Sequence, residues 1–476
     1  MLDKRRFYIN GRWEYPKTPR DFPVINPSTE AAYATICLGT SEDADQAVAA
    51  AVAAFDLWRH TTADVRLAYV EKISQIYERR ASEMAQTISR EMGAPLDMSL
   101  AEQVGSGAQH IQDFITAFKR FSFQKPLLDD ATGAMLCYEP IGVVGLITPW
   151  NWPMNQVTLK VIPALLSGCT MVHKPSEIAP LSSMLFAEII DEAGVPAGVF
   201  NLVNGDGAEV GAHLSRHLDI EMISFTGSTR AGREIMKSAA ENLKRVGLEL
   251  GGKGANIIFA DADEDAIKRG ILHCFHNSGQ SCNAPTRMLV ERPLYEKALE
   301  VARHVAELIR VDVSDKAGGH IGPVVSQQQY DKIQGLIKAG LVEGARLLVG
   351  GLGRPEGLVR GYFVRPTIFA DVTREMRVFR EEIFGPVLVM LPFDNEEEAV
   401  ALANDTPYGL TNYVQSQDPE RCRRIAQQLR SGMVEINGNV LPAGSFFGGV
   451  KLSGRAREGG SWGLEEFLDS KAVSVY

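Results

Sequence analysis

The chain has 476 residues, of which 45% are hydrophobic and 23% charged, and its 49 basic and 59 acidic side chains leave a net charge of −10. These values are those of a folded globular chain of about three domain-sized units, not of a disordered or fibrous one. The acidic balance argues against nucleic acid as a partner. The longest apolar stretches, near 140–147 and 161–172, are too short and too interrupted by Pro and Gly to cross a bilayer, and "MLDKRRFYINGRW" has no apolar signal-peptide core. A cytoplasmic protein without membrane contact is expected. Six cysteines, Cys37, Cys137, Cys169, Cys274, Cys282 and Cys422, form no C-x-x-C pair, and no histidines are read at metal-ligand spacing. Free thiols and no metal site follow.

In chain order, "SEDADQAVAAAVAAFDLWRH" (41–60) and "ADVRLAYVEKISQIYERRASEMAQTISREMG" (63–93) carry apolar residues at helical spacing and predict amphipathic surface helices. From about residue 140 short β-rich runs alternate with helical patterns. "GVVGLIT", "CTMVHKP", "VFNLVNG" and "MISFTGS" read as strands, separated by "MNQVTLKVIPALLSG", "APLSSMLFAEIIDEAG" and "AEVGAHLSRH" and followed by "TRAGREIMKSAAEN" as helices. This beat predicts a doubly wound parallel sheet with ligands at the carboxyl ends of its strands. A second α/β region runs from about 286 through "TRMLVER", "LYEKALEVARHVAELIR", "GPVLVMLPF", "EEEAVALAND", "GLTNYVQ", "PERCRRIAQQLRSG" and "MVEING". Two such sheets predict a cleft between them. "GGLGRPEGLVRG" (350–361) reads as a surface turn.

Several segments offer chemistry. "NGDGAEVG" (Gly205, Gly207, Gly211) and "FTGSTRAG" (Gly227, Ser228, Thr229, Gly232) each follow a strand and open a helix, where exposed backbone N–H groups can hold phosphate. In the first, the third glycine comes one residue late for the dinucleotide fingerprint. Either turn can equally well be a glycine without a ligand. Lys174 and Glu177 in "HKPSE" form either a solvated pair or a rim where the carboxylate takes ribose hydroxyls and repels a 2′-phosphate, favouring NAD over NADP. Glu249 in "LELGGKG" has apolar neighbours that raise a carboxyl pKa toward general-base work, the alternative being a cap or a sheet edge. Glu382 in "EEIFGP" is a ribose ligand or a turn cap. Asn151 in "TPWNWP" is a rigidly held amide suited to stabilising an oxyanion, or an Asx turn with two packing tryptophans.

Cys282 lies in "HNSGQSCNAPTR" among Asn277, Ser278, Gln280, Ser281 and Asn283, with Gly279 leaving room for close approach. A lone cysteine is ordinarily an inert buried residue, but a thiol in so polar a setting is a candidate nucleophile. Cys274, in the apolar "ILHCFHN", is expected to be structural.

Taken together and in order, "INPST", "EPIGVVGLITPWNWP", "HKPSE", "FTGS", "LELGGK", "GQSC", "EEIFGPVL", "NDTPYGL", "INGN" and "FGGVKLSGRAREGG" resemble the aldehyde dehydrogenase superfamily of the non-acylating, NAD(P)-dependent type over nearly the whole chain. The resemblance implies two doubly wound Rossmann-like α/β domains plus a small β oligomerisation element. It assigns 1–119 and 141–251 to an NAD-binding domain, 252–452 to a catalytic domain, and 120–140 with 453–476 to the bridging element of a homodimer or homotetramer. Cys282 matches the nucleophile, Glu249 the general base, Asn151 the oxyanion donor, and Lys160 with Glu458 a proton relay. On the cofactor side the match covers Thr148, Trp150, Lys174, Ser176, Glu177, Gly207, Gly211, Phe225, Gly227, Ser228, Gly251, Glu382 and Phe384. The implied reaction is NAD-dependent oxidation of an aldehyde. The thiolate adds to the carbonyl, hydride leaves for the nicotinamide, and Glu249-activated water hydrolyses the thioester.

Trp152, Gln156, Leu159, Ser281, Asn283 and Phe447 are the candidate channel positions. With Trp and Phe among them and no Arg beside Cys282, an apolar or aromatic aldehyde is favoured over a small anionic semialdehyde. Phe446 stands where the family often has proline and Ala456 where glycine is common, both on the substrate side. The alternatives are a coenzyme A-acylating enzyme, a semialdehyde dehydrogenase, or a catalytically silent binding or structural member.

Overall fold

The computed structural model describes residues 1–128 and 133–474. Two seven-stranded sheets dominate it. The first runs Arg245–Glu249, Met222–Thr226, Val143–Ile147, Thr170–Lys174, Phe200–Leu202, Phe7–Ile9, Arg12–Glu14, with the first five parallel and the N-terminal hairpin added antiparallel. Every residue of Val143–Ile147, Thr170–Lys174 and Met222–Thr226 is buried. Uninterrupted apolar runs therefore form central strands covered on both faces. The second sheet runs Arg346–Val349, Thr367–Ala370, Val387–Phe393, Arg287–Glu291, Ala255–Ile258, Thr411–Gln415, Met433–Ile436, parallel except for its first pair.

In the first sheet the chain starts at Val143–Ile147, moves outward through Thr170–Lys174 and Phe200–Leu202, then returns to the other side of its starting strand with Met222–Thr226. The winding reverses between these two neighbours, and the turns leaving their carboxyl ends diverge into a crevice. Those turns are Thr148–Trp152 and Gly227–Ser228. The second sheet faces this crevice with the turns that enter its strands: Gly251–Gly254 before Ala255–Ile258, and the segment ending in Cys282 before Arg287–Glu291.

The helix Pro153–Ser167 starts with proline in its first turn and stops at Gly168, whose φ of 96° lets the chain leave in the left-handed region. It is buried along nearly its whole length, as expected of a helix apolar on every side. The run 63–93 divides into Ala63–Arg79 and Ala81–Met92. "AEVGAHLSRH" begins as a π-turn over Gly207–Gly211 before Ala212–Arg216.

The segments expected to form a bridging element, 120–140 with 453–476, contain three strands among the described residues. Gln124–Pro126, Met135–Pro140 and Leu468–Val473 form a three-stranded antiparallel sheet, while residues 129–132 of the expected hairpin and 475–476 of the terminal strand lie outside the described residues. Residues 453–458 instead stay with the cleft, because Glu249 bridges to Gly454 and Phe447 to Glu458. Leu2–Lys4, Asp21–Asn26 and Ala31–Cys37 form a separate small sheet rather than part of the first large one.

Candidate active site

A cleft of about 210 Å³ opens where the two sheets face each other, and Trp150, Asn151, Gly227, Ser228, Gly251, Cys282, Glu382 and Phe384 are among its walls. A larger cavity of about 520 Å³, bounded by Pro95, Met98, Leu272 and Leu308, contains neither Cys282 nor Asn151. Convergence of polar groups, not size, marks the site.

The segment leading to Cys282 is locally strained. Asn277, Ser278 and Gly279 occupy three successive left-handed conformations, with φ of 51°, 56° and 71°. Two non-glycine residues there are costly and need surrounding support. That support is visible. The Asn277 amide donates to the carbonyls of Asn151 (3.0 Å) and Gln280 (3.3 Å), and Ser278 Oγ donates to the Gly322 carbonyl at 2.7 Å. Gln280 donates to the Asn277 carbonyl at 3.2 Å and accepts from Val325 N at 2.9 Å. At Gly279 a Cβ would lie 2.1 Å from the Gly385 carbonyl oxygen. Only glycine permits this approach of the two backbones.

Asn151 is 5% exposed, and its Nδ2 donates one hydrogen to the Gln280 carbonyl at 3.0 Å. The second hydrogen of the amide is left for the cleft. Its own carbonyl accepts from Gln103 at 3.1 Å and from Asn277, so "PWNWP" and "HNSGQSC" are laced together across the two sheets. Cys282 keeps partial exposure at the cleft. Burial, followed by the charges of Glu249 and Glu382, pushes its thiol pKa up. Deprotonation therefore needs a positive charge or a base nearby. Cys274 is fully buried in apolar surroundings.

Glu249 ends the strand Arg245–Glu249, 2% exposed, and neither of its carboxylate oxygens has a hydrogen-bond partner among the described residues. Burial raises its pKa well above the usual carboxylate range, the Glu458 charge raises it further, and Lys160 and Arg457 oppose the rise. An unpaired buried carboxylate costs stability, and such a group, close enough for its charge to act on Cys282, is suited to receive a proton. Lys160 donates to Glu458, which also accepts from Ser224 Oγ at 3.5 Å. Lys160, fully buried, and Glu458 thus form an ion pair whose charges both act on Glu249.

The cofactor-side residues divide. Lys174 Nζ stands 3.5 Å from Glu177 and donates to the Pro175 carbonyl at 2.9 Å. Burial lowers its pKa while Glu177 opposes the shift. A Cβ at Gly227 would meet the Phe225 ring at 2.5 Å, and one at Gly251 the Glu382 carboxylate at 2.4 Å. Glu382 accepts from Gly252 N at 2.8 Å, and Trp150 meets Phe384 edge to face at 5.5 Å. Thr148 and Ser176 are engaged within the protein, Thr148 Oγ1 with His173 Nε2 at 2.9 Å and Ser176 Oγ accepting from Ile178 N at 3.3 Å. Gly211 lies against the Lys174 methylenes, whereas a Cβ at Gly207 would meet nothing within 4 Å. The close glycine packing is at "FTGS" and "LELGG", not at Gly207.

On the channel side, Trp152 Nε1 donates to Ser281 Oγ at 2.8 Å, and its ring stacks on His276. Gln156 and Leu159 are buried on the helix Pro153–Ser167. Tyr413 donates to the Asn283 carbonyl at 2.6 Å, and Phe447 pairs through its backbone with Glu458. Phe446 packs edge-on against Trp462 at 5.3 Å, with the Arg457 guanidinium over its ring. Gln329 and Lys332 also line the cleft. Gln329 donates to the Phe384 carbonyl at 2.7 Å, holding a turn where Phe384 has φ of 60°. Neither residue was anticipated, because the helix Gln327–Val342 carries no motif; its only signal is polar side chains on a first turn capped by Ser326.

The aldehyde dehydrogenase family profile matches residues 13–473. A 3-succinoylsemialdehyde-pyridine dehydrogenase of Pseudomonas sp. is 50% identical over 100% of this chain and 99% of its own length. A crystal structure of aldehyde dehydrogenase from Bartonella henselae superposes with a TM-score of 1.00 at 66% identity, covering 100% of both chains. A mutant of aldehyde dehydrogenase C from Pseudomonas syringae, complexed with NAD+ and octanal, superposes with a TM-score of 0.97 at 45% identity, covering 99% of this chain and 96% of that one. With the family's motifs gathered on both sides of one cleft and a match from one end of the sequence to the other, the chain belongs to the aldehyde dehydrogenase family.

Proposed function

We propose that the protein oxidises an aldehyde to the carboxylic acid with NAD, using Cys282 as nucleophile and Glu249 as base. The observation that carries this reading is the buried Glu249 carboxylate, without a hydrogen-bond partner among the described residues, whose charge acts on a part-exposed thiol in a cleft that also holds an amide with a hydrogen to spare. The thiol releases its proton to solvent through the open cleft as sulfur adds to the carbonyl carbon, so Glu249 stays free for the second half of the reaction. The Asn151 amide then holds the resulting oxyanion, a contribution of about 3 to 4 kcal/mol for a well-placed donor. NAD, when bound, supplies an oxidised and positively charged nicotinamide ring that accepts hydride. Lys174 and Glu177 would hold the adenosine ribose, Gly227 and Ser228 the pyrophosphate, and Glu382 with Phe384 the nicotinamide end. The tight glycine cradles at Gly227 and Gly251 and the lysine beside Glu177 fit such a ligand. Glu249 then takes a proton from water, whose oxygen attacks the Cys282 thioester, expelling the thiolate and releasing the acid. Lys160 and Glu458 are placed to pass that proton onward.

For the substrate we propose a neutral aromatic or apolar aldehyde. Trp152 stacked on His276 and the apolar Leu159 support this, and the Pseudomonas relative is named for a pyridine-bearing semialdehyde. A homodimer or homotetramer in the cytoplasm completes the reading. Among the described residues no helix is long and apolar enough to span a membrane.

NADH formation from a panel of aromatic, aliphatic and anionic aldehydes tests the reading. It is measured with and without coenzyme A and with NADP in place of NAD, for wild type and Cys282→Ser. Turnover independent of coenzyme A and absent in Cys282→Ser is expected. No turnover with any aldehyde refutes the enzyme reading, and strict dependence on coenzyme A refutes the hydrolytic step. Equal efficiency with NADP refutes discrimination by Glu177.

A further inference from the structure

The expectation that no histidines stand at metal-ligand spacing is corrected by a cluster outside the proposed reaction. His213, on the helix Ala212–Arg216, and His217, immediately after it, are four residues apart and so project from one face. Asp45, in the helix Ser41–Arg59, comes to meet both. His213 Nε2 lies 2.5 Å and His217 Nε2 3.3 Å from the same oxygen, Asp45 Oδ1. The ligating atoms of all three lie within 4.8 Å of one another, and the two imidazole rings stand nearly perpendicular, 5.7 Å apart. None of the three takes part in the proposed oxidation.

We propose that Asp45, His213 and His217 form a binding site for a borderline divalent transition ion of the zinc, nickel or cobalt class. Two neutral imidazoles and a carboxylate are the donors such ions select over magnesium or calcium, and three protein ligands leave a position for water. Bonds of about 2.0 to 2.2 Å place tetrahedral ligand atoms roughly 3.3 Å apart. The His217–Asp45 contact already has that spacing, and the His213–Asp45 contact must open by about 0.8 Å to reach it. Side chains exposed by 54% (Asp45), 27% (His213) and 16% (His217) have room to turn. In His217, Nδ1 accepts from Asp219 N at 3.1 Å. Ligation through Nε2 moves that ring's proton to Nδ1 and gives up this bond, so His217 binds as a neutral imidazole without net proton loss. The ion cross-links two helices that are 168 residues apart at the contacting pair. It thereby braces the segment carrying Gly211, two residues before His213 and packed on the Lys174 methylenes.

The test uses untagged full-length protein carrying Cys282→Ser, which removes the cleft thiol as a competing ligand. Cobalt(II) and zinc(II) are titrated by calorimetry, by visible absorption of bound cobalt and by thermal unfolding. One ion per chain, cobalt d–d bands and a raised Tm are expected. Asp45→Asn, His213→Gln and His217→Gln should each weaken binding by at least the roughly 10- to 100-fold typical of a lost supporting partner. Their Tm without metal reports whether each is folded. Absence of binding at millimolar metal overturns the proposal, and so does binding of unchanged affinity in a folded variant lacking both histidines.

Discussion

Glu249→Gln separates the two halves of the proposed reaction and makes a stability statement in the opposite direction. The amide keeps the size of the side chain but cannot take a proton from water. Loss of a general base costs about 100- to 10,000-fold, so steady-state turnover should fall within that range. Acylation of Cys282 should still release NADH, giving a burst approaching one equivalent per active site followed by slow turnover. Stability should move the other way. The folded carboxyl pKa lies well above its unfolded value of about 4.3. Between those two values the folded state binds more protons, so the stabilisation is complete below the unfolded value and is lost as pH rises through the folded one. Glutamine has no such loss, and the variant's Tm should exceed that of wild type by a margin that widens from about pH 5 upward. Rapid-mixing absorbance and pH-dependent thermal unfolding read the two effects. Unchanged steady-state turnover would refute the role of Glu249 as base, and Tm curves that stay parallel across pH would refute its costly burial.

Asn151→Ala should lower kcat about 100- to 1,000-fold with little change in Tm, because the Gln280 carbonyl keeps its bond from Asn277; steady-state kinetics beside thermal unfolding check both. Gly279→Ala places a methyl against the Gly385 carbonyl at φ of 71°, and strain plus overlap should cost about 2 to 4 kcal/mol, read as a lower denaturation midpoint together with lost activity. Lys253 is 2% exposed, its Nζ has no partner among the described residues, and burial pushes its pKa down to about 7. The unfolded chain therefore binds the extra proton between about pH 7 and 10, and wild-type stability should rise with pH across that window. Lys253→Met should be more stable at pH 7 and flatten the rise, as denaturant titrations at several pH values would show.

The strands Phe7–Ile9, Arg12–Glu14, Arg245–Glu249, Ala255–Ile258 and Arg346–Val349 were not anticipated, whereas four strands in each large sheet were legible because central parallel strands read as uninterrupted apolar runs, as in "GVVGLIT" and "CTMVHKP". Thr367–Ala370 and the helix Gln327–Val342 were not, since neither carries a motif or a turn signal that separates it from its surroundings. Cys282, Glu249 and Asn151 could be named from short motifs because the chemistry restricts residue type. The alternation of strand and helix and the family could be read from residue order alone, as could the candidates for the reacting groups. Packing in three dimensions is what leaves Glu249 without a hydrogen-bond partner among the described residues, brings Lys160 to Glu458 across 298 residues, and carries Asp45 to His213 and His217. Periodicity fixes which face of an element is buried, but distances between groups far apart in sequence arise only when the elements pack.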